Sequence, residues 1–240
     1  MRQTNKWAIV SLLASALVLI SASFLRVQAD DDRDSEQSKI RKGFELASFT
    51  HLNLAGKNPA LVGLGSYIVN AQADCNGCHT SGGPPNFNYA AGHNPYLLGQ
   101  GPTQTDPAVY LGGGSDFGAV GPPIGPNGYA GPDIIARNLT PDKNGLAHGH
   151  AEGDNTLQQF MQIMRTGKDL DGVHPTCAAL FPTPTPANCI PAPVDGSKLQ
   201  VMPWPVFNNM SDRELEAIYE YLSALPCVEG GPGEPSPRCH

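Results

Sequence analysis

Apolar positions recur at helical spacing in three places along the chain. Leu61, Leu64, Ile68 and Ala71 fall three and four residues apart behind Pro59, which suits a first helical turn, so the spacing predicts a helix from about Pro59 to Ala73. Leu157, Phe160, Met161 and Met164 follow Asp154-Asn155 at i, i+3, i+4 and i+7, and Gly167 supplies the stop. The third stretch opens on Ser211-Asp212-Arg213-Glu214, a capping box, and runs through Leu215, Ile218, Tyr219 and Leu222 to Pro226. Residues 80–131 lack any sustained period: Gly, Pro and Asn dominate, with Phe87, Tyr89, Tyr96, Tyr110, Phe117 and Tyr129 scattered among them. They read as one long insertion, a loop of the length that is usually functional or poorly ordered.

The first 29 residues read differently. Arg2 and Lys6 precede an uncharged apolar run from Trp7 to Leu25, and Val27-Gln28-Ala29 offers small residues where a signal peptidase cuts. The reading favours a cleaved signal peptide over an uncleaved anchor, and either one places the folded part outside the cytoplasm, in the periplasm. Residues 30–57 then read as a charged, flexible spacer, poor in apolar side chains over Asp30 to Lys42.

Composition narrows the architecture. With 27 Gly and 23 Pro among 240 residues, the chain predicts long irregular loops around a few helices. A core this small needs a buried cofactor or cross-links to supply missing packing. Cleavage after Ala29 removes Arg2, Lys6 and Arg26 and no acid, leaving 12 of the 15 basic side chains against 22 acidic ones, a formal charge of −10. Such a balance argues against nucleic acid and would steer a partner with a basic docking face.

The strongest chemical signal is Cys75-Asn76-Gly77-Cys78-His79. Two thiols three positions apart suit addition to the two vinyl groups of one porphyrin, and the next His reaches the iron as proximal ligand. The same Cys-x-x-Cys pair in a thioredoxin-like centre would need a parallel-sheet context, and half of a zinc site would need a second pair; neither is present. One such motif predicts one covalent haem c. The sixth ligand falls to Met202 or Met210, since Met1 lies in the leader and Met161 and Met164 sit at core-like helical spacing. Met202 is favoured because Val201-Met202-Pro203-Trp204-Pro205 is a proline-stiffened loop whose Trp204 can shield a haem edge, whereas Met210 can staple the last helix against Leu215. His51, His93, His148, His150, His174 and His240 are the imidazole alternatives.

In these residues the chain resembles the class I c-type cytochromes, in particular the monohaem domains of cytochrome subunits of bacterial periplasmic dehydrogenases. The matching stretches are Gly65 to Val69 before Cys75–His79, Ala136 to Asp142, Phe160 to Asp169, Met202-Pro203-Trp204, and Leu215 to Pro226, together roughly half of the exported chain. The resemblance implies an all-α fold over residues 58–228, whose N- and C-terminal helices cross beside one haem held by Cys75 and Cys78, with His79 and Met202 as axial ligands. It also implies that Asn138, Leu139, Thr140 and Pro141 line the pocket, where a carbonyl or side chain would orient the His79 ring. Many relatives carry three haem motifs in one chain; here there is one, for Arg238-Cys239-His240 lacks the earlier Cys. The insertion over 80–131 and the Thr176–Lys198 loop are further departures.

Cys177, Cys189, Cys227 and Cys239 remain, an even number in an oxidising compartment. Of three pairings, short-loop encounter favours Cys177–Cys189 and Cys227–Cys239, the second tying down a tail over residues 229–240. No nucleophile has a convincing base partner. The expected function is therefore electron transfer rather than catalysis, with a dehydrogenase, an oxidase or another cytochrome as partner. The alternative is a haem enzyme or gas sensor with an open or displaceable sixth position, built by the insertion with His148 or His150.

Overall fold

Ile40, Gly43, Phe44 and Ala47 stand at i, i+3, i+4 and i+7 within the stretch read as a charged spacer, and that face makes it helical. The computed structural model describes residues 35–80, 105–123, 128–142, 156–178, 188–229 and 237–239, and the first of these segments opens in helix α1 over residues 35–46. Ile40 and Ala47 are buried. The flexible-spacer reading is thus corrected over 35–46: its charges line the outer face of an amphipathic helix whose other face joins the core. Arg213 ties this helix to the last one through Glu36, 2.6 Å away.

Helix α2, Pro59–Tyr67, starts where expected, with the Asn58 side chain accepting from Ala60 N at 3.0 Å. The predicted run to Ala73 is completed by a wider π-helical segment, Ile68–Gln72. Two glycines let α2 approach its neighbours at backbone distance. A methyl at Gly63 would lie 2.8 Å from Ile40 Cγ2, and one at Gly65 would collide with the Ala217 carbonyl. α2 is therefore wedged between α1 and α6 (Asp212–Ala224), and Ser66 Oγ donates to Gly43 O at 2.7 Å across the first of these seams.

Asp74 takes a left-handed φ of 49° and breaks the chain before the single turn α3, Cys75–His79. Strands β1 (Asp116–Ala119) and β2 (Asp133–Ile135) pair antiparallel, with an irregularity between Asp116 and Ala119. This small sheet is an element that the all-α expectation did not include. Helix α4, Leu157–Thr166, is capped by Thr156 and Gln159 and stopped by Gly167 at φ 65°. The short α5, Trp204–Phe207, precedes α6, whose Ser211 and Glu214 form the expected capping box.

Leu215, Ala217, Ile218, Tyr221, Leu222 and Ala224 of α6 join Leu61, Val62, Leu64, Ile68 and Val69 of the α2 arm in one apolar cluster. Burying a Leu or Ile side chain contributes about 1.5–3 kcal/mol, so this crossing is the main source of apolar stabilisation among the described residues. Tyr110 and Leu111 are buried in the same cluster, so this part of the segment read as an insertion belongs to the core. Both local disulfides are present, Cys177–Cys189 and Cys227–Cys239. Among the described residues no helix is long and apolar enough to cross a membrane; the Trp7–Leu25 run lies outside them.

Candidate functional site

The turn Cys75–His79 is held from two sides by segments far away in sequence. Gly113 N donates to His79 O at 2.7 Å, and Leu111 N and Ser115 Oγ bond to Thr80 at 3.2 and 3.1 Å. On their other side, residues 111–115 bond to 136–139, through Gly114 N to Ala136 O and Leu139 N to Leu111 O, each 2.8 Å. Gly113, at φ 74°, permits this layering, because a methyl there would stand 2.6 Å from Asn138 N.

The layering sets Arg137 O 2.7 Å from His79 Nδ1. A carbonyl accepts only, so Nδ1 carries the proton and Nε2 presents its lone pair. Burial pushes the imidazole below its ordinary pKa, the Arg137 carbonyl opposes that, and the Arg137 charge adds to it. The ring is thus held neutral and in one tautomer, the state of a metal-ligating histidine. Among the described residues Nε2 has no hydrogen-bond partner.

Arg137 is itself clamped. Its two terminal nitrogens meet Asp169 and Asp171 at 2.8 Å each, with the arginine side chain 20% exposed and both carboxylates 4%. Asp171 N also donates to Asp169 Oδ1 at 3.1 Å within the loop after α4, and the two ion pairs close that loop on the Arg137 segment that holds His79.

Cys75 and Cys78 carry free thiols, unlike the other four cysteines. Burial, then the neighbouring Asp74 carboxylate and Cys78, push the Cys75 thiol up to about 12; burial and Asp74 raise Cys78 as well. Both are therefore thiols rather than thiolates at neutral pH. Asn76 Oδ1, between them in sequence, is buried without a hydrogen-bond partner among the described residues. Near Cys75 lies a polar network: Tyr110 OH donates to Asn70 Oδ1 at 2.7 Å and lies 3.0 Å from Tyr221 OH, and Asn70 Nδ2 donates to Ser66 O at 2.9 Å. Burial is the chief cause that raises both tyrosines and Cys75 adds to it, while the hydrogen bonds of Tyr221 to Tyr110, Asn70 and Ser66 oppose it.

Met202 and Met210 both pack, half-buried, against the core cluster, as do Cys75 and Leu139. Met202 lies in a tight turn, its carbonyl accepting from Trp204 N at 2.8 Å. The Trp204 indole lies on Gly167, where a methyl would collide with it, and Lys198 Nζ sits 5.6 Å from the ring centroid. Asn138 is buried, but its side chain is engaged within the protein: Nδ2 donates to Val228 O at 2.9 Å and Oδ1 accepts from Thr140 N and Oγ1 at 2.8 and 2.7 Å. The carbonyl that orients His79 comes from Arg137, one residue ahead of the expected Asn138–Pro141 segment; Pro141 itself is half-buried. His51 is exposed and His174 Nδ1 lies 3.3 Å from Asn188 O, while His93, His148, His150 and His240 fall outside the described residues.

Arg137, Asp169, Asp171, Asn70 and the Tyr110–Tyr221 pair were not picked out by sequence reasoning. Two acids spaced by two behind a helix-stopping Gly, and one Arg before an Asn-x-Thr turn, were the available signals. No protein-family model matches the chain, and neither a curated protein nor a solved structure matches it.

Proposed function

We propose that the chain is an exported c-type cytochrome of the class I kind, with one covalent haem, that passes single electrons between redox partner proteins. The observation that carries this reading is the state of Cys75–His79: two free, neutral thiols and one imidazole with Nδ1 held by Arg137 O. These donors fit a haem c. Thioether formation adds a thiol across a vinyl group, and both thiols are present. Among the described residues no three His, Cys, Asp or Glu side chains gather to hold a bare metal ion.

In this reading Cys75 and Cys78 would anchor the porphyrin, and His79 Nε2 and Met202 would hold its iron. The haem supplies a one-electron ferric/ferrous couple. The chain's own residues supply the rest. Arg137 O keeps the His79 ring oriented and basic, while Cys75 packs, half-buried, against the apolar cluster to which Tyr110 and the α2–α6 crossing belong. Periplasmic location and a dehydrogenase, oxidase or cytochrome partner belong to the same proposal.

The test is optical spectroscopy of the matured protein, ferric and ferrous, with and without carbon monoxide, for wild type and Met202→His. A far-red sulfur-to-iron band lost in the variant, with slow or absent carbon monoxide binding, supports the electron carrier. Rapid carbon monoxide binding by the wild type would move the reading to an enzyme or sensor with an open sixth position. Absence of any covalent haem would sink both.

A further inference from the structure

The last described residues fold back onto the segment that holds His79. The Cys227–Cys239 bridge spans a sequence separation of 12 and sets Arg238, only 7% exposed, beside Thr140, whose carbonyl accepts from Arg238 Nη2 at 2.9 Å. The backbone N–H groups of Arg238 and Cys239 both donate to the Glu229 carboxylate, each at 3.1 Å. On the other arm, Val228 N donates to Thr140 Oγ1 at 3.1 Å and Val228 O accepts from Asn138 Nδ2 at 2.9 Å. Thr140 closes the circuit through its two bonds to Asn138 Oδ1. One peptide unit earlier stands the carbonyl that accepts from His79 Nδ1.

Burying a guanidinium is costly unless its donors are met, and surface tails have no need of it. Here the buried group reaches a carbonyl of the turn behind the proximal histidine. We propose that Arg238, held in place by the Cys227–Cys239 bridge, is a positioning residue that fixes the Arg137–Thr140 turn so that Arg137 O faces His79 Nδ1. The geometric part stands on the protein alone; the redox consequence rests on the haem reading above.

A donor bond from Nδ1 raises the electron density at the ligating nitrogen and so favours ferric iron. Freeing the turn weakens that bond and raises the reduction potential. The experiment compares Arg238→Gln and the double variant Cys227→Ser/Cys239→Ser, in the full haem-bearing chain, with Cys177→Ser/Cys189→Ser. The control removes a bridge of the same sequence separation elsewhere. Two quantities are read: the potential, and the exchange rate of the His79 Nδ1 proton by NMR. Both hook variants are expected to shift the ferric/ferrous ratio about three-fold, about 30 mV for a one-electron couple, and to speed Nδ1 exchange about ten-fold. The control moves neither.

Hook variants that match wild type, or a control that shifts as far, overturn the proposal and leave the haem reading intact. Should the chain carry no haem, the haem reading fails, and the positioning role is decided by Nδ1 exchange in the haem-free chain: acceleration confined to the hook variants supports it, uniform rates refute it. If a hook variant does not fold, Arg238→Lys and Glu229→Gln, which loosen the same contacts by less, are read against the same control.

Discussion

Replacing Asp169 with Asn tests whether the ionic clamp on Arg137 holds the histidine-bearing turn. The pair is 2.8 Å apart with only 4% of the Asp side chain exposed, and at an effective dielectric of about 20 its gross attraction is about 6 kcal/mol. Much of that is offset by the cost of taking both charges out of water, and breaking a well-buried pair typically costs about 3–5 kcal/mol. Arg137 is one-fifth exposed and keeps Asp171, and Asn can still accept one bond, so about 2 kcal/mol is expected for Asp169→Asn alone. Removing both carboxylates leaves the guanidinium with neither counter-charge. The double variant Asp169→Asn/Asp171→Asn should therefore lose about 3–5 kcal/mol, with a second step costlier than the first. Urea titrations followed by far-ultraviolet circular dichroism give each value. A loss under about 0.5 kcal/mol for the single variant, or strict additivity of the two, would refute the clamp.

Gly65→Ala should destabilise by about 2 kcal/mol, because the methyl meets Ala217 O and Tyr221 Cβ; helix propensity alone would stabilise by about 1 kcal/mol, so the sign of the change in a urea titration decides. Tyr221→Phe removes the hydroxyl 3.0 Å from Tyr110 OH and should cost about 1 kcal/mol, since Tyr110 keeps Asn70; an unchanged midpoint would mean the network contributes nothing. The third concerns pH: in the haem-free chain His79 has its folded pKa lowered, chiefly by burial, so the unfolded state binds the proton more readily. Its contribution is then fully present above the unfolded value of about 6.5 and is lost as pH falls from there through the folded pKa. Melting temperature against pH for wild type and His79→Gln checks this: the two curves should diverge below pH about 6.5, and parallel curves refute it.

The helices of residues 157–166 and 212–224 were legible because their signals are local. A capping box, a four-point apolar face and a stopping Gly or Pro all lie within one window of sequence, and Ser211, Glu214 and Gly167 act as read. The two bridges were legible for the same reason, each closing a separation of 12. Helix 35–46 was missed although Ile40, Gly43, Phe44 and Ala47 carry the period, because the surrounding charges dominate composition. A net excess of charge says nothing about one face of a helix.

The remainder of the site was not legible because it is made by contacts between segments that share no local pattern. His79 and Arg137 are 58 positions apart, Arg137 and Asp169 are 32, and Tyr110 and Tyr221 are 111. No periodicity announces such pairs, and a Gly/Pro-rich stretch offers none at all, so Tyr110 and Gly113 passed as loop residues. Their roles follow from chain crossings: Gly113 is a glycine because residues 111–115 run between the Cys75–His79 turn and the Arg137 segment, at a spacing that leaves no room for a side chain at 113. The five-residue motif thus supplies two thiols and an imidazole, whereas the tautomer of His79 depends on Arg137 O, and the raised pKa of Cys75 on burial and Asp74. Transplanting Cys75–His79 onto another helical turn would carry over the two thiols and the imidazole without the carbonyl that orients the ring.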